Sequence, residues 1–264
     1  MESLGMYSTE WFSNLPKKVI WTSPNLESSR KKTTNPSQKM ETTPNMKKLT
    51  KPSVVFEDRQ MIVVNKPAGV LSQPDARENI NLLSLVSDYI GQPAFVVHRI
   101  DRPASGLIIF GKTQRAANEL SAFFRKKTIQ KEYLALVEKN KQLAPKGRLE
   151  HILKKNGKTN KSYPSPSGKT AILEYEILQT LDHYYLVKVN LKTGRFHQIR
   201  AQFAAIGLPI KGDNKYGAKR NNRNRSIHLH AWKIQLPSYP VFTAALPTED
   251  PLWKVVETII KEKN

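Results

Sequence analysis

Asp101 is a carboxylate set between two arginines, in the stretch His98-Arg99-Ile100-Asp101-Arg102-Pro103-Ala104-Ser105-Gly106. Apolar runs lie on either side, Phe95-Val96-Val97 before it and Leu107-Ile108-Ile109-Phe110 after it. Both runs read as strands, and Pro103 with Ser105-Gly106 supplies the turn chemistry between them. Pro103 also biases Arg102 toward an extended backbone, which keeps Asp101 out of a helix. Neighbouring cations favour the charged form of a carboxylate, and a charged carboxylate on a turn is how a nucleophile or general base is presented. A turn aspartate in a surface ion pair carries the same local signature. The apolar flanks are what weigh against that plainer reading.

Two further residues stand out by position. Gln130 to Glu138 reads as a strand with Tyr133, Ala135 and Val137 on one face and Leu134 and Leu136 on the other. Apolar residues on both faces predict an interior strand, so Tyr133 is either a core tyrosine or a site residue. Phe196, Ile199, Phe203 and Ile206 recur at helical steps, and Gly207 and Pro209 end that helix. Arg200 borders its apolar face. A guanidinium carried toward a core needs an anion, and Asp101 is a candidate partner.

The elements that must position these residues follow from periodicity. Val54-Val55-Phe56 and Met61 to Asn65 read as strands, and Lys66-Pro67-Ala68-Gly69 turns the chain after them. Asn79 to Ile90 predicts a helix, and Thr113 caps another that runs to about Lys126. Its last turn, Arg125-Lys126-Lys127, puts positive charge where the helix dipole favours it. Residues 139–170 hold nine Lys/Arg and one acid, Glu150, and read as a long, partly ordered connection with one short strand, Arg148 to Leu153. Such a stretch is either solvated surface or a phosphate contact. Ile172 to Gln179 and Tyr184 to Leu191 read as a strand pair, Lys219 to Arg225 as a short basic loop, Ile227 to Leu236 as a strand, and Leu252 to Ile260 as a closing amphipathic helix.

Composition sets the partner. The 264 residues carry a net charge of +21, which favours a polyanion, nucleic acid first and an anionic membrane surface second. No apolar run is long enough to span a membrane, and the first residues lack a secretory pattern. The sequence has no cysteine, which excludes disulfides and thiolate chemistry and accords with a cytoplasmic setting. Its six histidines show no metal-ligand spacing. Residues 1–50 are polar and Ser/Thr/Asn/Pro/Lys-rich, with eight Lys/Arg against four acids, and read as a disordered leader before a globular part at 51–264.

In chain order these segments resemble the RluA-type pseudouridine synthases. Lys66-Pro67-Ala68-Gly69 is similar to that family's first signature, and His98-Arg99-Ile100-Asp101-Arg102 with Ser105-Gly106 to its catalytic motif, with Ile100 where Leu is usual. Lys131 to Val137 matches its tyrosine motif. Thr193-Gly194-Arg195-Phe196-His197-Gln198-Ile199-Arg200 matches its third motif, with Phe196 where Thr or Ser is commoner, and Ile206 to Asp213 with Tyr216-Gly217 continues it. Ala201-Gln202 and Pro103-Ala104 also depart from the common pattern.

The resemblance implies isomerisation of uridine to pseudouridine in ribosomal or transfer RNA, with Asp101 as the attacking carboxylate and no cofactor or metal. Tyr133 would stack on the uracil and assist proton removal, and Arg200 would pair with Asp101. Arg99 would fill the gap left by the extruded base, since a stacked base must be flipped out to react. Arg102, Arg195 and His197 are the other expected RNA contacts. The implied fold is α+β, a mixed, mainly antiparallel central sheet with flanking helices and a central RNA-binding cleft, in a cytoplasmic monomer. Nothing at residues 1–50 looks like the S4 RNA-binding module that relatives often carry. Two other readings fit the charge: a non-catalytic RNA-binding or assembly factor using the same cleft, and a glycosidase that releases the base.

Overall fold

The computed structural model describes residues 50–75, 81–222 and 224–263. The expected leader, up to residue 49, and the expected helix start at residues 79–80 lie outside the described residues.

In chain order the described elements are β1 (Ser53–Glu57), β2 (Met61–Lys66), α1 (Leu82–Ile90), β3 (Phe95–Val96), β4 (Ser105–Gly111), α2 (Gln114–Lys126), β5 (Gln130–Glu138), β6 (Lys146–Asn156), β7 (Lys161–Pro164), β8 (Lys169–Thr180), β9 (Tyr184–Leu191), α3 (Gln198–Ala205), β10 (Leu229–Gln235), β11 (Val241–Thr243) and α4 (Pro251–Lys263). A 3-10 turn spans Asn214–Tyr216. The strands form one sheet in the order β1-β2-β4-β10-β5-β9-β8-β6-β7, with β3 also on β4 and β11 on β10. Every pairing between these strands is antiparallel except β4 with β10. The fold is therefore α+β on a mixed, mainly antiparallel sheet, as the sequence led us to expect.

Local chemistry explains the boundaries. The Asn81 side chain accepts from Ser84 N at 3.0 Å and starts α1; Thr113 does the same for α2 through Ala116 N at 3.1 Å. The alternation along β5 divides the core. Ala135 and Val137 pack with Ile199 and Phe203 of α3, whereas Leu134 and Leu136 pack with Trp253 and Val256 of α4 on the opposite face. In β2 and β4 the same alternation sends Val63 and Ile109 toward Leu120 of α2, and Ile62 and Ile108 toward Leu82 and Val86 of α1.

The two halves of the sheet join where β4 meets β10, with Ser105 opposite His230 and Gly106 opposite Ala231. Gly106 has φ +112, and a Cβ there would stand 2.3 Å from Ala231 O. Only glycine lets the strands close at this point.

One expectation is corrected. The basic connection at 139–170 is a well-formed β6–β7 hairpin, and β6 also pairs along β8 from Lys146–Glu176 to Leu153–Lys169. The period-2 pattern in β6 is present, but its inward positions are Gly147, Leu149, His151 and Leu153, so only half are strongly apolar. Charged residues on the other face hid a strand inside what looked like a loop.

Candidate active site

The loop that carries Asp101 is braced by the turn after β2. Lys66 is fully buried, and its Nζ donates to Pro67 O at 2.9 Å, Val70 O at 2.9 Å and Arg102 O at 3.1 Å. Gly69 N donates to Arg102 O at 2.7 Å, and Ser72 Oγ to Ile100 O at 3.0 Å. Arg102 returns the contact from its Nε to Gly69 O at 2.9 Å. The carbonyls on both sides of Asp101 are thus held from one side, and the carboxylate faces the other. Burial pushes the Lys66 pKa down to about 7, against the opposing pull of Asp101. Three carbonyl acceptors match the three N–H bonds of an ammonium, and that is the geometry present.

Asp101 meets Arg200, as the buried guanidinium required. Arg200 Nη1 donates to Asp101 Oδ2 at 3.1 Å. Its fuller partnership is with Asp213, through Nε to Oδ2 at 2.6 Å and Nη2 to Oδ1 at 2.8 Å. Side-chain exposures are 3 % for Arg200, 1 % for Asp213 and 22 % for Asp101. Burial alone would lower the Arg200 pKa, but the two carboxylates outweigh it and raise the pKa above the usual arginine range. The guanidinium is therefore a fixed charge that Asp213 orients and Asp101 shares. Asp213 itself sits on a tight turn, where Gly212 has φ +85 and a Cβ would stand 2.6 Å from Ser226 O.

Behind Asp101 lies a neutral polar network. His197 Nε2 is 3.9 Å from Asp101 Oδ2, and its Nδ1 is 3.0 Å from Tyr216 Oη. Burial first, then Arg200, pushes the His197 pKa down to about 3, so the ring is uncharged at neutral pH. Tyr216 Oη already accepts from Ser162 N at 2.7 Å. Its own proton can then go to His197 Nδ1, which turns an Nε2–H toward Asp101. The Tyr216 ring lies under Arg200, 5.0 Å from the guanidinium carbon.

Asp101, His197 and Arg200 lie in the wall of a cavity of about 460 Å³ that residues of α2 and α3 also line. Its lining includes Asp101, Tyr133, His197 and Arg200, with Arg99, Arg125, Lys127, Lys131, Lys192 and Arg195 as cations. Of the residues singled out in the sequence, the cavity thus brings together Asp101, Tyr133, Arg200, Arg99, Arg195 and His197. Arg102 is absent from that lining and is tied to the Gly69 turn. Arg195 also donates from Nε to Thr170 O at 2.9 Å. Burial and the charge of Asp101 push the Tyr133 hydroxyl well above the usual tyrosine range. A phenol held protonated suits stacking better than proton removal. Sequence reasoning missed the roles of Lys66, Asp213 and Tyr216. The signal for Asp213 was there, because a guanidinium entering the core needs an anion and Asp213 lies only 13 residues from Arg200.

A family described as RNA pseudouridylate synthase matches residues 60–205 of the chain. The chain is 32 % identical over 211 residues to a Bacillus subtilis (strain 168) protein named "Uncharacterized RNA pseudouridine synthase YhcT", covering 75 % of this chain and 68 % of that one. It is 35 % identical over 196 residues to ribosomal large subunit pseudouridine synthase C of Rickettsia felis, covering 72 % and 64 %. With tRNA pseudouridine synthase C of Yersinia pestis the identity is 34 % over 215 residues, covering 73 % and 83 %. The chain spans about two thirds of the length of the first two relatives. Among solved structures, human RNA pseudouridylate synthase domain containing 1 matches with a TM-score of 0.66 at 22 % identity, over 80 % of this chain and 95 % of that one. At that identity the likeness is one of fold.

Proposed function

The chain belongs to the RNA pseudouridylate synthase family, of the RluA type, and from that premise we propose that it converts uridine to pseudouridine in structured ribosomal or transfer RNA with Asp101 as the nucleophile. The observation that carries this reading is the Asp101 carboxylate, held at 3.1 Å by Arg200 in the wall of a cation-lined cavity that Tyr133 also lines. Cations around the mouth meet phosphates. A flipped uracil rests on the Tyr133 ring, and Arg99 fills the vacated stack, since a guanidinium both stacks and hydrogen-bonds. Asp101 attacks the sugar carbon as its bond to the ring nitrogen breaks; the base turns over, and a ring carbon displaces the carboxylate from that sugar carbon and takes the nitrogen's place. The ring carbon's proton leaves, the nitrogen gains one, and no electrons or groups are exchanged.

His197 fits this scheme as a support for Asp101 more than as an RNA contact, because both ring nitrogens face protein groups. Ribosomal and transfer RNA both enter the proposal because the named relatives divide between them. A working unit of one chain is supported by the completeness of this site within it, and a cytoplasmic setting by the absence of cysteine. No described helix is long and apolar enough to cross a membrane.

The test is single-turnover conversion of total RNA from a strain lacking the gene, with pseudouridine and free uracil both measured. Pseudouridine should form without uracil. Asp101→Asn, nearly isosteric, should lose essentially all conversion yet bind RNA within about tenfold, because phosphate contacts dominate affinity. A folded Asn variant that retains a tenth of the parental rate would remove Asp101 from the nucleophile's role. Free uracil as the product would point to a glycosidase, and RNA binding with no product to a non-catalytic factor.

A further inference from the structure

Resting on the reading of the cavity as the RNA site, we propose that Lys131 holds the phosphate of the nucleotide whose uracil lies on Tyr133. Lys131 and Tyr133 are two residues apart on β5, so both side chains leave the same face of the strand, about 6.6 Å apart along it. Both line the cavity, and so do Lys127 and Ile129. Alternate residues from 127 to 133 thus form one wall, running from exposed Lys127 to half-buried Tyr133. A nucleotide with its base at the Tyr133 end of this wall puts its phosphate one step nearer the mouth. That step is Lys131.

Charge balance is the second observation. Lys131 is half-buried, and among the described residues its Nζ has no hydrogen bond or ion pair. Lys112 and Lys188, also half-buried, are matched by Glu57 at 2.7 Å and Glu176 at 3.1 Å, and fully buried Lys66 by three carbonyls. Burial lowers the Lys131 pKa, and no carboxylate among the described residues offsets it. An ammonium so placed is costly until an anion arrives. The space across from it is also suited to one. Lys131 Nζ, at 3.9 Å, is the sole atom within 4 Å of where a Cβ on Gly194 would stand. The backbone of that turn can therefore approach a phosphate from the opposite side.

The test uses the full chain and the same RNA, with kcat/KM measured across a range of KCl. Lys131→Met is expected to lower kcat/KM about tenfold or more, the size of one charge-assisted contact, and to flatten the log–log salt slope by about 0.7–0.9. Lys131→Arg should restore the slope. The melting temperature of Lys131→Met should stay level or rise, because an unpaired charge has been removed. Lys261→Met, an exposed α4 residue paired with Glu257 at 3.2 Å, is the control and should change nothing. An unchanged slope in Lys131→Met overturns the proposal whatever the rate does, since a role in proton transfer would leave it alone. So does a loss accompanied by a lower melting temperature and no rescue by Arg. If the parental protein forms no pseudouridine, the activity reading fails separately. The slope is then read from RNA retention on filters: flattening in Lys131→Met supports the phosphate contact, and an unchanged slope overturns it.

Discussion

Arg200 sits between two carboxylates that do different work. Asp213 grips it with two hydrogen bonds and is almost fully buried, whereas Asp101 takes one bond and remains partly open to the cavity. The division predicts how each aspartate responds to neutralisation. Asp213→Asn leaves Arg200 buried with only a fractional partner and should cost about 3–5 kcal/mol of stability. Asp101→Asn leaves Arg200 still paired with Asp213, so its cost should stay at about 1 kcal/mol, even as conversion of uridine is lost. Urea titration of both variants reads the difference. Equal losses would show that the two aspartates hold the guanidinium alike, and a larger loss for Asp101→Asn that Asp101 is its anchor.

The β6–β7 hairpin links the cationic surface to the site. Ser162 of β7 donates from its backbone N to Tyr216 Oη and from Oγ to Phe196 O at 2.6 Å, while Lys155 of β6 lies over the Phe196 ring at 4.4 Å. Contacts made by the hairpin therefore reach the turn that positions His197 and Arg200. Lys158, Lys161 and Lys169 are exposed in and beside it. Neutralising these three to Gln should weaken RNA binding and flatten the salt slope by about one unit for each phosphate no longer bound. A slope equal to the parent's would return them to ordinary solvated surface.

For the whole molecule, acid should be the weak side. Burial first pushes His98 down to about 3 and His230 to about 4, against an ordinary 6.5. His98 is held neutral by its geometry as well, because its Nε2 accepts from Ile109 N at 3.1 Å. Below pH 6.5 the unfolded chain takes up protons that the fold refuses, so stability falls as pH drops from about 6.5 toward the folded-state values. At pH 5 each histidine should have withdrawn about 2 kcal/mol. Urea midpoints measured between pH 7 and 5 check this, and His98→Gln should remove its share of the slope; an unaltered slope would refute the assignment. We also propose that residues 51–264 suffice as the catalytic unit. A chain begun at Thr50 should melt within about 5 °C of the parent, a margin of roughly 1–2 kcal/mol, and keep its rate.

What the sequence determined by itself was whatever depends on near neighbours. Strand β5, the Thr113 cap, the α3 terminator and the Asp101 turn are local patterns, and all stand where periodicity and turn chemistry put them. The need for an anion beside Arg200 was also legible, because burying a guanidinium demands one. Which anion was not. Asp101 and Asp213 lie 99 and 13 residues from Arg200, and only the packed fold decides that both reach it and that the nearer in sequence takes two bonds. The β6–β7 hairpin was hidden for a related reason. A strand whose inward face is half Gly and His is held in place by β8, a partner that only tertiary pairing supplies. Lys66 is the extreme case. Its sequence neighbours say turn, while its burial against three carbonyls exists only once the β2 turn and the Asp101 loop have been brought together.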